Sequence, residues 1–158
     1  MNTYFDNYVN GLTKKQALFA KEAVEAYLAG QKAEVKKIQS ATDVYQLMRG
    51  MADYTEEVFA VVYSNNAGKV IQTKEIAKGG LTSTIVDVRV VYREALLCNA
   101  TRIFAVHNHP SGSLRPSLCD DELTKNLAQA GQVLNIRMLD HVIISNEGYY
   151  SYSDEGRI

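Results

Sequence analysis

The chain is poor in cysteine, has no long apolar run and carries almost no net charge, and each shortage removes a class of protein. Only two cysteines, Cys98 and Cys119, occur among the 158 residues, so no disulfide framework is expected. No apolar run approaches the roughly 20 residues of a membrane span, so no membrane partner is expected. The start, Met1-Asn2-Thr3-Tyr4-Phe5-Asp6, lacks a basic segment followed by an apolar one. A secretory signal is therefore not expected, and the expected location is the cytoplasm. The 17 Lys and Arg nearly cancel the 18 Asp and Glu, for a net charge of −1. Autonomous duplex binding usually leaves a basic footprint, and none shows. The densest basic cluster, Lys32, Lys36 and Lys37, reads as a solvated helix face.

What remains is an ordinary globular balance, 46% hydrophobic and 22% charged, with material for a substantial core. Residues 1–52 read as a helical lead-in. Ala17, Leu18, Ala20, Val24, Tyr27 and Leu28 predict a helix over 13–29, stopped at Gly30. A second, short helix is expected over 41–50. Residues 53–158 read as the main domain. Val58-Phe59-Ala60-Val61-Val62-Tyr63 and the stretch from Val70 predict a β-hairpin around Asn65–Gly68. A helix is expected from Asp87 to Leu97. Ile103-Phe104-Ala105-Val106 predicts a fully buried strand. A further helix is expected from Ser117 to Ala130, stopped by Gly131, and late strands over Ile136–Ile144 and Tyr149–Tyr152. The order predicts an α/β fold: a three-layer mixed β-sheet with flanking helices, behind the helical N-terminal segment.

The chemistry concentrates directly after the buried strand, in His107-Asn108-His109-Pro110-Ser111-Gly112 and, further on, Pro116-Ser117-Leu118-Cys119-Asp120. Strand side chains alternate faces, so His107 and His109 point the same way. A loop holding both prolines of the chain can return Asp120 towards them. Two imidazoles and one carboxylate, with a position left for water, match a catalytic zinc site rather than a structural one. Two His and one carboxylate also suit non-haem iron. Ser117 and Asp120 equally fit a helix N-cap and its capping-box partner, roles that compete for the same side chains. A zinc deaminase would need His-x-Glu and Pro-Cys-x-x-Cys, and neither occurs. The letters H-N-H at 107–109 match the nuclease signature by accident, because its residues are spread over a longer unit.

The spacing His-x-His, seven residues, Ser, two residues, Asp resembles the metal signature of the JAB/MPN (JAMM) metalloprotease superfamily. The longer string His-x-His-Pro-Ser-Gly, followed by Pro-Ser-x-x-Asp, is similar to its RadC branch. So are Glu57-Val58-Phe59, Arg93-Glu94-Ala95-Leu96, Leu139-Asp140-His141-Val142-Ile143-Ile144 and Tyr149-Tyr150-Ser151-Tyr152. The resemblance covers roughly residues 53–158. It implies a JAB/MPN, cytidine-deaminase-like fold and a Zn2+ cofactor held by His107, His109 and Asp120. It implies an oxyanion-stabilising role for Ser117 and a general base at Glu57, preferred over its neighbour Glu56. RadC proteins often carry an N-terminal helix-hairpin-helix region, of which the first fifty residues show no pattern.

The expected function is thus a zinc-dependent metallopeptidase or isopeptidase acting on a protein or peptide. The alternatives are a DNA repair or DNA-processing factor, with nucleic acid as the partner, and a non-catalytic binding module. His141 is expected to be a satisfied strand histidine rather than a ligand.

Overall fold

Every position of the run from Val58 is apolar, so a strand there must be covered on both faces. The computed structural model, which describes Gln16 and residues 37–79 and 86–158, shows this. In β1 (Val58–Ser64) all seven residues are buried. Two strands flank it, both antiparallel: β2 (Val70–Lys78) on one edge and β3 (Arg102–Asn108) on the other. β4 (Arg137–Ser145) runs parallel to β3, and β5 (Gly148–Ser151) closes the sheet antiparallel to β4. The sheet order is β2-β1-β3-β4-β5. A parallel pair needs a crossover, and α3 (Leu118–Leu134) supplies it between β3 and β4.

Alternation divides the core into two halves. Phe59, Val61, Tyr63, Ile103, Ala105 and Met138 face α3 and α2 (Val88–Leu97), meeting Val91, Tyr92, Ala95 and Leu127. Val58, Ala60, Val62, Phe104, Val106, Val142 and Ile144 face the other way, onto Ile38, Val44 and Met51. Val44 belongs to α1 (Ala41–Met48), which Ser40 and Asp43 cap reciprocally; a 3-10 turn over Arg49–Asp53 follows. The architecture is therefore the expected three-layer mixed sheet. Residues 37–52, read from sequence as part of the lead-in, pack within the compact unit Lys37–Ile158 and close its second face. The helix expected over 13–29 lies, apart from helical Gln16, outside the described residues.

Gly131 does not stop α3. The helix continues to Leu134 and ends at Asn135, which takes the left-handed conformation at φ 56°. At Gly131 the helix passes so close to its neighbours that a Cβ would collide with the Ile136 carbonyl oxygen and lie 2.6 Å from the Tyr92 hydroxyl. That hydroxyl donates to the Leu127 carbonyl at 2.7 Å. The glycine serves helix-to-helix approach, not termination.

Candidate metal centre

The carboxyl end of a central strand is where α/β sheets open a crevice, and β3 ends there in His107 and Asn108. His107 is buried among Phe59 and its own cluster. His109 lies one residue past the strand, where its Nδ1 contacts the Ser113 carbonyl at 2.7 Å. A carbonyl only accepts, so a hydrogen sits on Nδ1, and in the neutral imidazole Nε2 is the atom with the lone pair. Nε2 of His109 and Nε2 of His107 approach to 2.8 Å.

Asp120 arrives from α3, and its two oxygens divide the roles that competed in the sequence. Oδ2 takes the capping box, accepting from Ser117 N and Ser117 Oγ, both at 2.7 Å. Oδ1 faces His107 Nε2 at 3.2 Å. Ser117 Oγ in turn accepts from Asp120 N at 3.2 Å. The N-cap thus holds the carboxylate in place, with Oδ1 directed at His107 and Oδ2 3.7 Å from His109 Nε2.

Glu57 completes the group. Phe59 pairs with His107 across the antiparallel ladder, and extending that register by two sets Glu57 opposite His109. Ligand atoms of Glu57, His107, His109 and Asp120 all lie within 4.8 Å of one another, an arrangement that could hold a metal ion. Glu56 falls on the opposite side of the chain, in an exposed pair with Lys78 at 2.8 Å. Strand parity therefore separates the two glutamates.

The electrostatics match a site built for a cation. Burial pushes the His107 pKa down to about 4, with Asp120 opposing and His109 adding to the fall. Burial works against ionisation of Asp120, yet the neighbouring His109 and His107 imidazoles and the Ser117 hydrogen bonds together hold its carboxyl well below the usual range. The Asp120 carboxylate, 3.7 Å from His109 Nε2, raises the His109 pKa against the effect of burial. The point where these side chains converge thus favours positive charge. Glu57 is raised, chiefly by burial, with Asp120 adding to the rise and His109 opposing it. Two imidazole nitrogens and carboxylate oxygens that converge in this way are a donor set that fits a divalent metal ion.

Two supports were not legible in the sequence. Asn108, the middle letter of the dismissed H-N-H string, is buried. Its Oδ1 accepts from Val58 N at 2.8 Å and its Nδ2 donates to the Glu56 carbonyl at 3.0 Å. It grips the backbone on both sides of Glu57. An asparagine amide offers a donor and an acceptor on one planar group, but nothing local announces the partner strand. Asn108→Ala would orphan a buried N–H and a carbonyl, at about 1–3 kcal/mol. It should also lower any Glu57-dependent turnover by up to about 100-fold through misplacement with metal content kept. Chemical denaturation and elemental analysis read the two effects separately.

His141 is fully buried, and burial holds its pKa well below the ordinary histidine value. Its Nε2 meets His107 Nδ1 at 2.8 Å and its Nδ1 meets Thr124 Oγ1 at 2.6 Å. Both nitrogens are engaged, so neither is left for a metal, as expected of a satisfied strand histidine. Tyr152 stacks on the ring at 5.1 Å and Phe59 meets it edge-on at 5.7 Å. Cys119 is exposed and Cys98 half-buried, and neither belongs to the group. No helix among the described residues is long and apolar enough to cross a membrane.

Known proteins resemble most of this chain. A family model described as RadC-like JAB domain matches residues 38–157. A UPF0758 protein of Flavobacterium johnsoniae is 43% identical over 124 residues, covering 78% of this chain and 54% of the relative. A UPF0758 protein of Staphylococcus haemolyticus is 40% identical over 121 residues, covering 76% of this chain and 53% of the relative. One of Chlorobium phaeovibrioides is 38% identical over 124 residues, covering 78% and 56%. The chain spans about half the length of these relatives.

Proposed function

The chain belongs to the RadC-like JAB domain family, and on that premise we propose that it is a zinc-dependent hydrolase of amide bonds, a metallopeptidase or isopeptidase. One observation carries the reading: Glu57, His107, His109 and Asp120 converge from three separate elements on one point. His107, His109 and Asp120 are the proposed ligands. A zinc ion held there would lower the pKa of a water to about 7 and polarise the scissile carbonyl.

Glu57 acts as proton carrier. Its carboxylate accepts the proton of the attacking water and delivers it to the leaving amine nitrogen. Ser117 Oγ, which at rest donates to Asp120 Oδ2, turns its hydrogen to the developing oxyanion. A donor of that kind contributes roughly 3 kcal/mol in comparable sites.

The test sets peptide, isopeptide and nucleic-acid substrates against zinc-loaded and chelated protein. Amide hydrolysis should be lost on chelation and restored by zinc, not by buffer alone. Elemental analysis of protein purified without added metal separates zinc from iron. Metal-dependent cleavage of nucleic acid with none of the amides would overturn the reading in favour of a DNA-processing enzyme.

A further inference from the structure

We propose that Thr124 and His141 are positioning residues, forming a directional hydrogen-bond relay that sets the tautomer of His107 and leaves its Nε2 lone pair facing the centre. This rests on the reading of His107 as a ligand through Nε2.

The direction follows from counting hydrogens. Thr124 Oγ1 has one hydrogen and donates it to the Asp120 carbonyl at 2.6 Å. The 2.6 Å contact from Thr124 Oγ1 to His141 Nδ1 must then carry the hydrogen of the imidazole, so His141 is the donor through Nδ1–H. His141 is completely buried and has no carboxylate side chain among its hydrogen-bond partners. A buried imidazole in that setting is neutral. With Nδ1 protonated, its Nε2 is an acceptor. The 2.8 Å contact to His107 Nδ1 is therefore a donation from His107. A hydrogen on Nδ1 of His107 leaves Nε2 bare, and Nε2 is the atom 3.2 Å from Asp120 Oδ1 and 2.8 Å from His109 Nε2.

The relay starts at the carbonyl of Asp120, itself a proposed ligand, and ends at His107. One helical turn of α3 thus delivers both a carboxylate and the anchor that orients the facing imidazole. The hydrogen bond of a metal-bound histidine through its far nitrogen ordinarily fixes tautomer and ring angle. Here the acceptor is a second histidine, which is suitable only while its own Nδ1 has an acceptor. Thr124 is that acceptor. Tyr152 stacked on His141 and Phe59 against its edge keep the ring from turning.

Thr124→Val keeps the shape and removes Oγ1. The buried Nδ1–H of His141 then has no acceptor, which favours the other tautomer with the hydrogen on Nε2. His107 Nδ1 must accept in return, and its hydrogen moves to Nε2, where it blocks a metal. Zinc affinity, measured by competition with a chromophoric chelator, should fall 10–100-fold. Thr124→Ser restores the hydroxyl and should bind zinc close to wild type. Long-range 15N–1H correlation on the full metal-free chain reads the tautomers directly. Wild type should show His107, His109 and His141 all protonated on Nδ1. Two results would overturn the relay: a wild-type His107 protonated on Nε2, or wild-type zinc affinity in Thr124→Val. Wild type with the stated tautomers but no zinc binding would leave the relay standing and defeat the metal reading alone. Should Thr124→Val prove unfolded by circular dichroism, the wild-type tautomers still decide.

Discussion

Glu57→Gln is expected to reduce hydrolysis by about 100- to 10,000-fold, the range of a positioned general base, while the zinc content stays that of wild type. Glutamine matches the shape of glutamate but cannot accept the proton of the attacking water. The proposed ligands His107, His109 and Asp120 are untouched, so metal retention separates loss of the base from loss of the site. Stability should move the other way. Burial raises the Glu57 pKa, with Asp120 adding to it and His109 opposing, so the ionised carboxylate is disfavoured in the folded chain. A group of this kind opposes folding above its unfolded pKa, and the penalty fades as pH falls through the raised folded value. Metal-free Glu57→Gln should therefore unfold at least as late as metal-free wild type at neutral pH. Metal loading should draw the Glu57 pKa of wild type back down, because a nearby cation favours the carboxylate. Full activity in Glu57→Gln would remove the residue from the mechanism.

Asp120→Ala is expected to abolish both metal binding and turnover. The loss has two parts, and a second variant separates them. Alanine removes Oδ1, which faces His107, and Oδ2, which accepts the two bonds from Ser117. The capping loss alone should cost about 0.5–2 kcal/mol of stability. Asp120→Asn keeps a carbonyl oxygen for the cap but lacks the negative charge, so it should recover most of that stability without recovering the metal. Thermal denaturation and elemental analysis of both variants give the comparison. Stoichiometric zinc in Asp120→Asn with unchanged turnover would show that the carboxylate is a cap and nothing more.

Some parts of this molecule are readable locally. Val58–Tyr63 has no polar position, so it had to be a buried strand. Asp87 and Ser117 stand ahead of periodic apolar residues, and both cap helices. His107 and His109 sit two apart at the end of an apolar run, so strand alternation alone aims them together. Gly131 was misread because a glycine near the end of a helical pattern looks the same whether it stops the helix or lets another chain segment approach. Only the nearby Ile136 and Tyr92 distinguish the two.

The sequence by itself determined which groups are on offer: two imidazoles, a carboxylate and a capping serine at one spacing, on a strand and the helix that follows. Local periodicity and hydrogen-bonding capacity are properties of a short stretch, so a short stretch reveals them. The tertiary structure decided how those groups are set. The Phe59–His107 register brought Glu57 to the site and turned Glu56 away. Asn108 gained a purpose only when β1 lay beside β3. Asp120 could serve as both cap and proposed ligand because its two oxygens meet different partners. His141 and Thr124 joined the site through pairing of β4 with β3 and the packing of α3. Apart from the Ser117–Asp120 cap, each of these is a contact between separate elements of the chain. Such contacts depend on strand register and side-chain direction after packing, which no local pattern encodes.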